Sequence, residues 1–214
     1  MKKILKGTLL IVILPILLIS CEQMFTYSMF EWAQRDPSNL SDDQQISYAK
    51  SVLGSGDKEA MADAYEAIKD NTDPEVQLLA SKLAVGASGL NEAVEAAIAD
   101  LDAIEDGTKT IDEYLNTIDE SMLLAAVNSM ANASRDDSTE STITNEEYIT
   151  AAAASLIYAV NSSTVADFDA GVTAIDVATP DNSVSASWDK KAAYFLQESG
   201  YNSTDLDSLV NLNT

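Results

Sequence analysis

The side chains most able to do chemistry in this sequence are carboxylates, and their best ligand-like spacing lies in DAIEDGTKTIDE, residues 102–113. Asp102, Asp106, Gly107 and Glu113 occupy positions 1, 5, 6 and 12 of the calcium-loop pattern, where oxygens surround the ion and glycine makes the sharp turn. Position 3 is Ile104, which offers no ligating atom, and position 8 is Lys109. The segment therefore reads as a helix–turn–helix, with Gly107 at the bend and Thr110 capping the next helix. Glu146–Glu147 and Asp136–Asp137 are adjacent carboxylates of the type that acid–base pairs use. The first pair falls in the opening turn of a predicted helix, where acids complement the helix dipole. The second falls in a polar stretch. Neither has the rigid, dry surroundings that acid–base catalysis requires. The chain has no histidine and one cysteine, Cys21. Ser-His-Asp and Cys-His nucleophiles are excluded, as are imidazole or thiolate zinc sites. The expectation is a non-catalytic protein with no metal and no cofactor.

Cys21 has a different chemistry available to it. The chain opens MKKILKGTLLIVILPILLISC, with Lys2, Lys3 and Lys6 ahead of a 12-residue apolar run, Thr8 to Ile19. A bilayer span needs about 20 apolar residues, so this run reads as a secretory signal peptide. Leu18, Ile19, Ser20 and Cys21 resemble the bacterial lipobox, in which the cysteine is lipidated and becomes the mature N-terminus. The position just past the apolar run brings the thiol to the membrane surface. The resemblance implies a multiply acylated Cys21, because one chain holds only marginally and two or more hold stably. Glu22 stands where inner-membrane lipoproteins often carry aspartate, which favours the outer membrane over the inner.

Cleavage after Ser20 removes three lysines and no acid, so the net charge of −23 becomes −26. Clustered Lys and Arg, which nucleic acid requires, are missing. Anionic head groups would also repel such a chain, leaving the lipid as its membrane partner.

The remaining residues read as helices. Residues 22–40 form an N-terminal segment in which Phe25, Met29 and Trp32 make one helical stripe. Ser41 with Gln44 opens a helix running to about Leu53, and Asp57 caps the next. Asp73–Pro74 starts a third, expected to end near Val85 before Gly86 and Gly89. A fourth is predicted from Asn91 to about Glu105. A fifth follows the Thr110–Glu113 capping box and is drawn on towards Ala131. Residues 132–144 are a polar loop, long for a compact bundle. Thr144 with Glu147 opens a sixth helix to about Val160. Helices near 165–176, 187–199 and 204–211 complete the chain, with Gly200 ending the second of these. Only SVSASW, residues 183–188, alternates like a strand.

Two segments, AKSVLGSGDKEAMADAYEAI from Ala49 and ASKLAVGASGLNEAVEAAIADL from Ala80, read alike. Gly54 and Gly86 are 32 residues apart, and Ala60 and Ala93 are 33 apart. A period near 34 with two helices per unit is that of stacked helical hairpins, which bury their apolar faces only against neighbours. Gly56, Ala60, Tyr65 and Pro74 stand near the glycine, alanine, aromatic and proline of a tetratricopeptide repeat, which residues 41–105 resemble. The Gly56–Ala60 spacing is one residue short, and the motif's tryptophan and Leu-Gly are missing. The expected fold is all-α: a tetratricopeptide-like solenoid of about nine helices over residues 41–214, following the signal peptide (1–20).

With the lipobox, the chain is similar to bacterial periplasmic repeat lipoproteins, some of which assist transporters or outer-membrane assembly. The resemblance implies a lipid-anchored adaptor or scaffold at the periplasmic face. It would hold a protein or peptide in a groove with an acidic rim; Tyr48, Tyr65 and Tyr114 are the candidate groove aromatics, with the helical core as the alternative place for them. The alternatives are a small-ligand-binding accessory of a solute transporter and a structural envelope lipoprotein.

Overall fold

The computed structural model describes residues 37–135, 142–175, 179–183 and 185–200. Cys21, the lipobox, the Phe25–Met29–Trp32 stripe, Asp136–Asp137 and the last predicted helix lie outside the described residues. The chain divides into two units, Met1–Ser41 and Asp42–Thr214. In the first, a 3-10 turn, Pro37–Asn39, is closed by the Leu40 N–H donating to the Pro37 carbonyl at 3.2 Å.

The second unit is all-α. Among the described residues it has ten α-helices and no strand: α1 Asp42–Val52, α2 Lys58–Ile68, α3 Pro74–Ser88, α4 Leu90–Ala99, α5 Leu101–Glu105, α6 Ile111–Leu115, α7 Glu120–Ala133, α8 Asn145–Asn161, α9 Phe168–Ala174 and α10 Trp188–Glu198. No helix among the described residues is long and apolar enough to cross a membrane. Of the alternating stretch 183–188, the described residues 183 and 185–187 form no strand, and Trp188 opens α10.

Local signals set most helix starts. The Asp57 carboxylate accepts from the Ala60 N–H at 3.0 Å, and Asp73 from Glu75 at 2.9 Å, each satisfying a donor at a helix start. Glu147 Oε2 accepts from the Thr144 N–H at 2.7 Å in a reciprocal capping box. Several boundaries differ from expectation; α7, for one, runs to Ala133, two residues into the loop predicted for 132–144. α3 runs through Gly86 and stops at Gly89, whose φ of +82° is the left-handed turn that glycine adopts freely. The predicted fourth helix breaks at Asp100 into α4 and α5. The predicted fifth ends at Leu115, because Asp119 starts α7 afresh by accepting from Ser121 and Met122 N–H groups.

α3 is the centre of the unit. Val76 to Ser81, Leu83, Ala84, Ala87 and Ser88 are all buried, so the helix is covered on nearly every side. One face joins Ala49, Met61, Ala64 and Ile68 in a core with α1 and α2. Leu78 joins a second core, built mainly by α7, α8 and α10 around Leu123, Val127, Met130, Ile157 and the fully buried Phe195. The most extensive helix contact is α3 with α7, not α3 with its neighbour α4. At its start, the Asp119 N–H donates to the Ser88 carbonyl at 2.9 Å, bringing the beginning of α7 to the end of α3. Residues 89–118 are therefore an excursion that leaves α3 and returns to the point of departure, so that α7 follows α3 in space. Ala80, Ala84, Ala126 and Ala131 are almost wholly inaccessible to solvent, and small side chains let helix axes approach closely. α4 packs on α6 within the excursion and leaves Val94 and Ile98 exposed.

Buried polar atoms on α3 are paired, as the cost of burying them unpaired requires. Ser81 Oγ donates to the Ala126 carbonyl at 2.9 Å. The Gln77 amide donates to the Lys69 carbonyl at 2.8 Å and the Asn71 carbonyl at 2.5 Å, and accepts from Asn132 Nδ2 at 3.1 Å. One side chain thus fixes the α2–α3 turn and ties it to α7.

Candidate functional site

Leu78, Ser81, Lys82 and Val85 recur at i, i+3, i+4 and i+7 along α3, and so share one face. Together with Gly86 they form the long wall of a groove of about 590 Å³ that opens to solvent. α7 supplies Met130, and the start of α8 supplies Glu147, Thr150 and Ala151. The first turns of α4 place Asn91, Glu92 and Glu95 along another edge. Leu53, Gly54 and Gly56 between α1 and α2, and Met61 from α2, complete it.

The groove is apolar at its base and charged at its rim. Met61 and Met130 are buried, and their thioethers are flexible and polarisable, able to fit more than one shape. Gly86 has a packing role here. A Cβ at this position would stand 2.5 Å from the Met61 sulfur, so the bare backbone lets the methionine lie flat on α3.

At the groove rim, Lys82 Nζ meets Glu147 Oε1 at 2.5 Å, joining α3 to α8. The Glu147 side chain is 20% exposed and that of Lys82 39%. Burial pushes the Glu147 carboxyl up, but the Lys82 ammonium and the Thr144 N–H outweigh it and hold it below the ordinary glutamate value. At the α4 edge, Lys58 Nζ lies 3.4 Å from Glu92 Oε2, passing over Gly89. Among the described residues Glu95 is in no ion pair.

The candidate tyrosines do not line this groove. Tyr48 and Tyr65 pack, partly buried, on the α1–α3 core. The Tyr114 hydroxyl donates to Asp100 Oδ2 at 2.8 Å, and Lys109 Nζ bonds the same oxygen at 2.5 Å while standing 5.6 Å from the Tyr114 ring centroid. These contacts clasp the excursion rather than line a site. In the stretch with calcium-loop spacing, Asp106 accepts from the Thr108 N–H at 2.9 Å and Glu113 from the Thr110 N–H at 3.2 Å. Both carboxylates serve the turn, and Gly107 has the positive φ of the bend, +76°. Among the described residues, no three metal-ligating side chains converge. Of the adjacent glutamates, Glu146 is exposed and Glu147 is committed to the cap and to Lys82.

The groove was missed from sequence because its residues come from five helices and a turn. The one local clue was the period of Leu78, Ser81, Lys82 and Val85, in which a lysine and a serine share the apolar face of a central helix.

Compared with protein-family models, curated proteins and solved structures, the chain matches none.

Proposed function

We propose that this protein is a non-catalytic, lipid-anchored helical adaptor that holds a protein or peptide segment in the groove between α3, α4 and α8. The observation that carries this reading is the open groove itself, with a methionine-lined base and a charged rim on rigid helices. Helix-in-groove recognition uses that combination, with apolar anchors seated below and polar contacts fixing register at the edge. The lipobox residues Leu18 to Cys21 support anchoring at the periplasmic face, with the outer membrane favoured. The short helices packed side by side, none covering its own apolar face, support kinship with tetratricopeptide-like stacks.

A photo-crosslinking residue at Glu95 or Thr150, on the groove, should give discrete protein adducts in intact cells. The same residue at exposed Asp63, outside the groove, should not. Equal adducts at both places, or none at either, would remove the adaptor reading. Fatty-acid labelling that marks the wild type but not Cys21→Ser tests the anchor separately.

A volume of about 590 Å³ favours a second reading, since small-molecule sites span roughly 300–1,000 Å³. In that reading the chain is a ligand-binding accessory of a transporter. Adduct size separates the two.

A further inference from the structure

We infer that the groove selects a cationic amphipathic segment, whose apolar side chains seat on Met61 and Met130 while its lysine or arginine reaches Glu95 and displaces Lys82 from Glu147. The inference rests on the docking reading above and adds the chemistry of the partner.

The charges at the rim are unequal. Glu92, Glu95 and Glu147 line the groove against one amine, Lys82. Two of the three carboxylates already hold lysines of the chain: Glu147 holds Lys82 at 2.5 Å and Glu92 holds Lys58 at 3.4 Å. Glu95, two turns along α4 from Gly89, is exposed and in no ion pair among the described residues. An incoming cation therefore finds one carboxylate ready and a second whose own partner is 39% exposed. Exposed ion pairs contribute little, because water solvates each charge almost as well. Exchanging Lys82 for a partner's lysine or arginine keeps Glu147 paired and frees Lys82 to solvent. An incoming carboxylate meets three like charges and gains only by taking Lys82 from Glu147, which strands a partly buried anion. An uncharged apolar segment seats on the base but leaves Glu95 without a new partner. The local charge pattern thus separates three kinds of segment by sign, beyond what the overall net charge of −23 would do.

The test uses the full chain in non-ionic detergent and three fluorescently labelled synthetic helical peptides. One has leucine on one face and lysine on the other, one has glutamate in place of lysine, and one has serine in place of leucine. Anisotropy should show tightest binding for the leucine–lysine peptide. Glu95→Gln should weaken it, and Glu95→Gln with Glu147→Gln should weaken it about fivefold, the scale of an ion pair at a partly dry rim. Glu59→Gln with Asp63→Asn, equal in charge but outside the groove, should change it less than about twofold. Since Glu147 also caps α8, the single Glu95→Gln variant and a helical circular dichroism signal guard against misfolding. Equal losses from the two double variants would mean long-range charge alone and overturn the inference. The glutamate peptide binding as tightly as the lysine peptide, with Gly86→Ala weakening both, would overturn the cation preference and leave docking standing. Indifference of every peptide to Gly86→Ala would overturn the docking reading itself.

Discussion

The sulfur of Met61 on α2 lies 2.5 Å from the point where a Cβ on Gly86 of α3 would stand. A glycine inside a helix costs roughly 0.5–1 kcal/mol relative to alanine, and here that cost is offset by the close seat it gives the methionine. Gly86→Ala would regain helix propensity but displace the flexible end of Met61, at the low end of the about 1–3 kcal/mol that overpacking costs. The expected net effect is a loss of no more than about 1 kcal/mol, read from denaturant melts, with the thioether driven into the groove. Adding Met61→Ala should recover part of this, so the pair is non-additive by about 1 kcal/mol or more. Simple additivity would show that the two residues are not in contact.

Gln77→Leu should cost about 1–3 kcal/mol although it introduces an apolar side chain at a buried site. The change strips the Lys69 and Asn71 carbonyls of their donor and leaves the Asn132 amide without its acceptor. Amide exchange at the α2–α3 turn should quicken as well. A neutral or stabilising effect would mean that water satisfies those groups.

Stability should fall in acid along a specific window. The Glu147 carboxyl is held below its ordinary value of 4.5, where the Lys82 ammonium and the Thr144 N–H outweigh burial. Asp119 is held below 3.8 by the Ser121 hydroxyl, with the Met122 and Ser121 N–H groups assisting against burial. A carboxyl with a depressed folded value contributes its full stabilisation above the unfolded value and loses it as pH falls through the folded one. Urea midpoints should therefore hold above about pH 5 and decline below 4.5. In Glu147→Gln the starting midpoint should be lower and the decline shallower.

Lys191 on α10 is 4% exposed and donates to Asn128 Oδ1 at 3.0 Å. Burial pulls its amine below 10.5, Asp181 opposes this, and Arg135 adds to it. The charged form is thus the penalised one, so stability should rise as pH climbs from the folded value towards 10.5. Lys191→Met keeps the volume and removes the buried charge. It should be neutral within about 1 kcal/mol or stabilising at neutral pH, and should abolish that alkaline rise. A loss above about 3 kcal/mol would show instead that the Asn128 contact outweighs the desolvation.

Phe195 is wholly inaccessible to solvent, edge-on to Tyr194 at 5.7 Å and tilted to Tyr148 at 6.4 Å. Phe195→Ala should cost about 3–5 kcal/mol and be the most damaging single truncation in the α7–α8–α10 core. A milder loss, measured by thermal melts, would mean the three helices collapse into the space.

Much of this was legible in the sequence wherever the physics is local. Asp57, Asp73, Thr110 and Thr144 stand immediately before the helices they start, because a cap is a contact within one turn of chain. Apolar residues at helical spacing and the scarcity of strand patterns determined the all-α class by the same short-range rule. What the sequence could not decide was which helices meet. Gly86 and Gly89 look alike as letters, yet one is a helix end at φ +82° and the other a seat for Met61, and the difference lies in a residue 25 positions away. Residues 89–118 leave the end of α3 and return to it at the Ser88–Asp119 hydrogen bond, α7 packs along α3, and Lys82 and Glu147 meet at the groove. That pairing depends on burying apolar faces between segments far apart in the chain, an energy summed over the whole core and written at no single position.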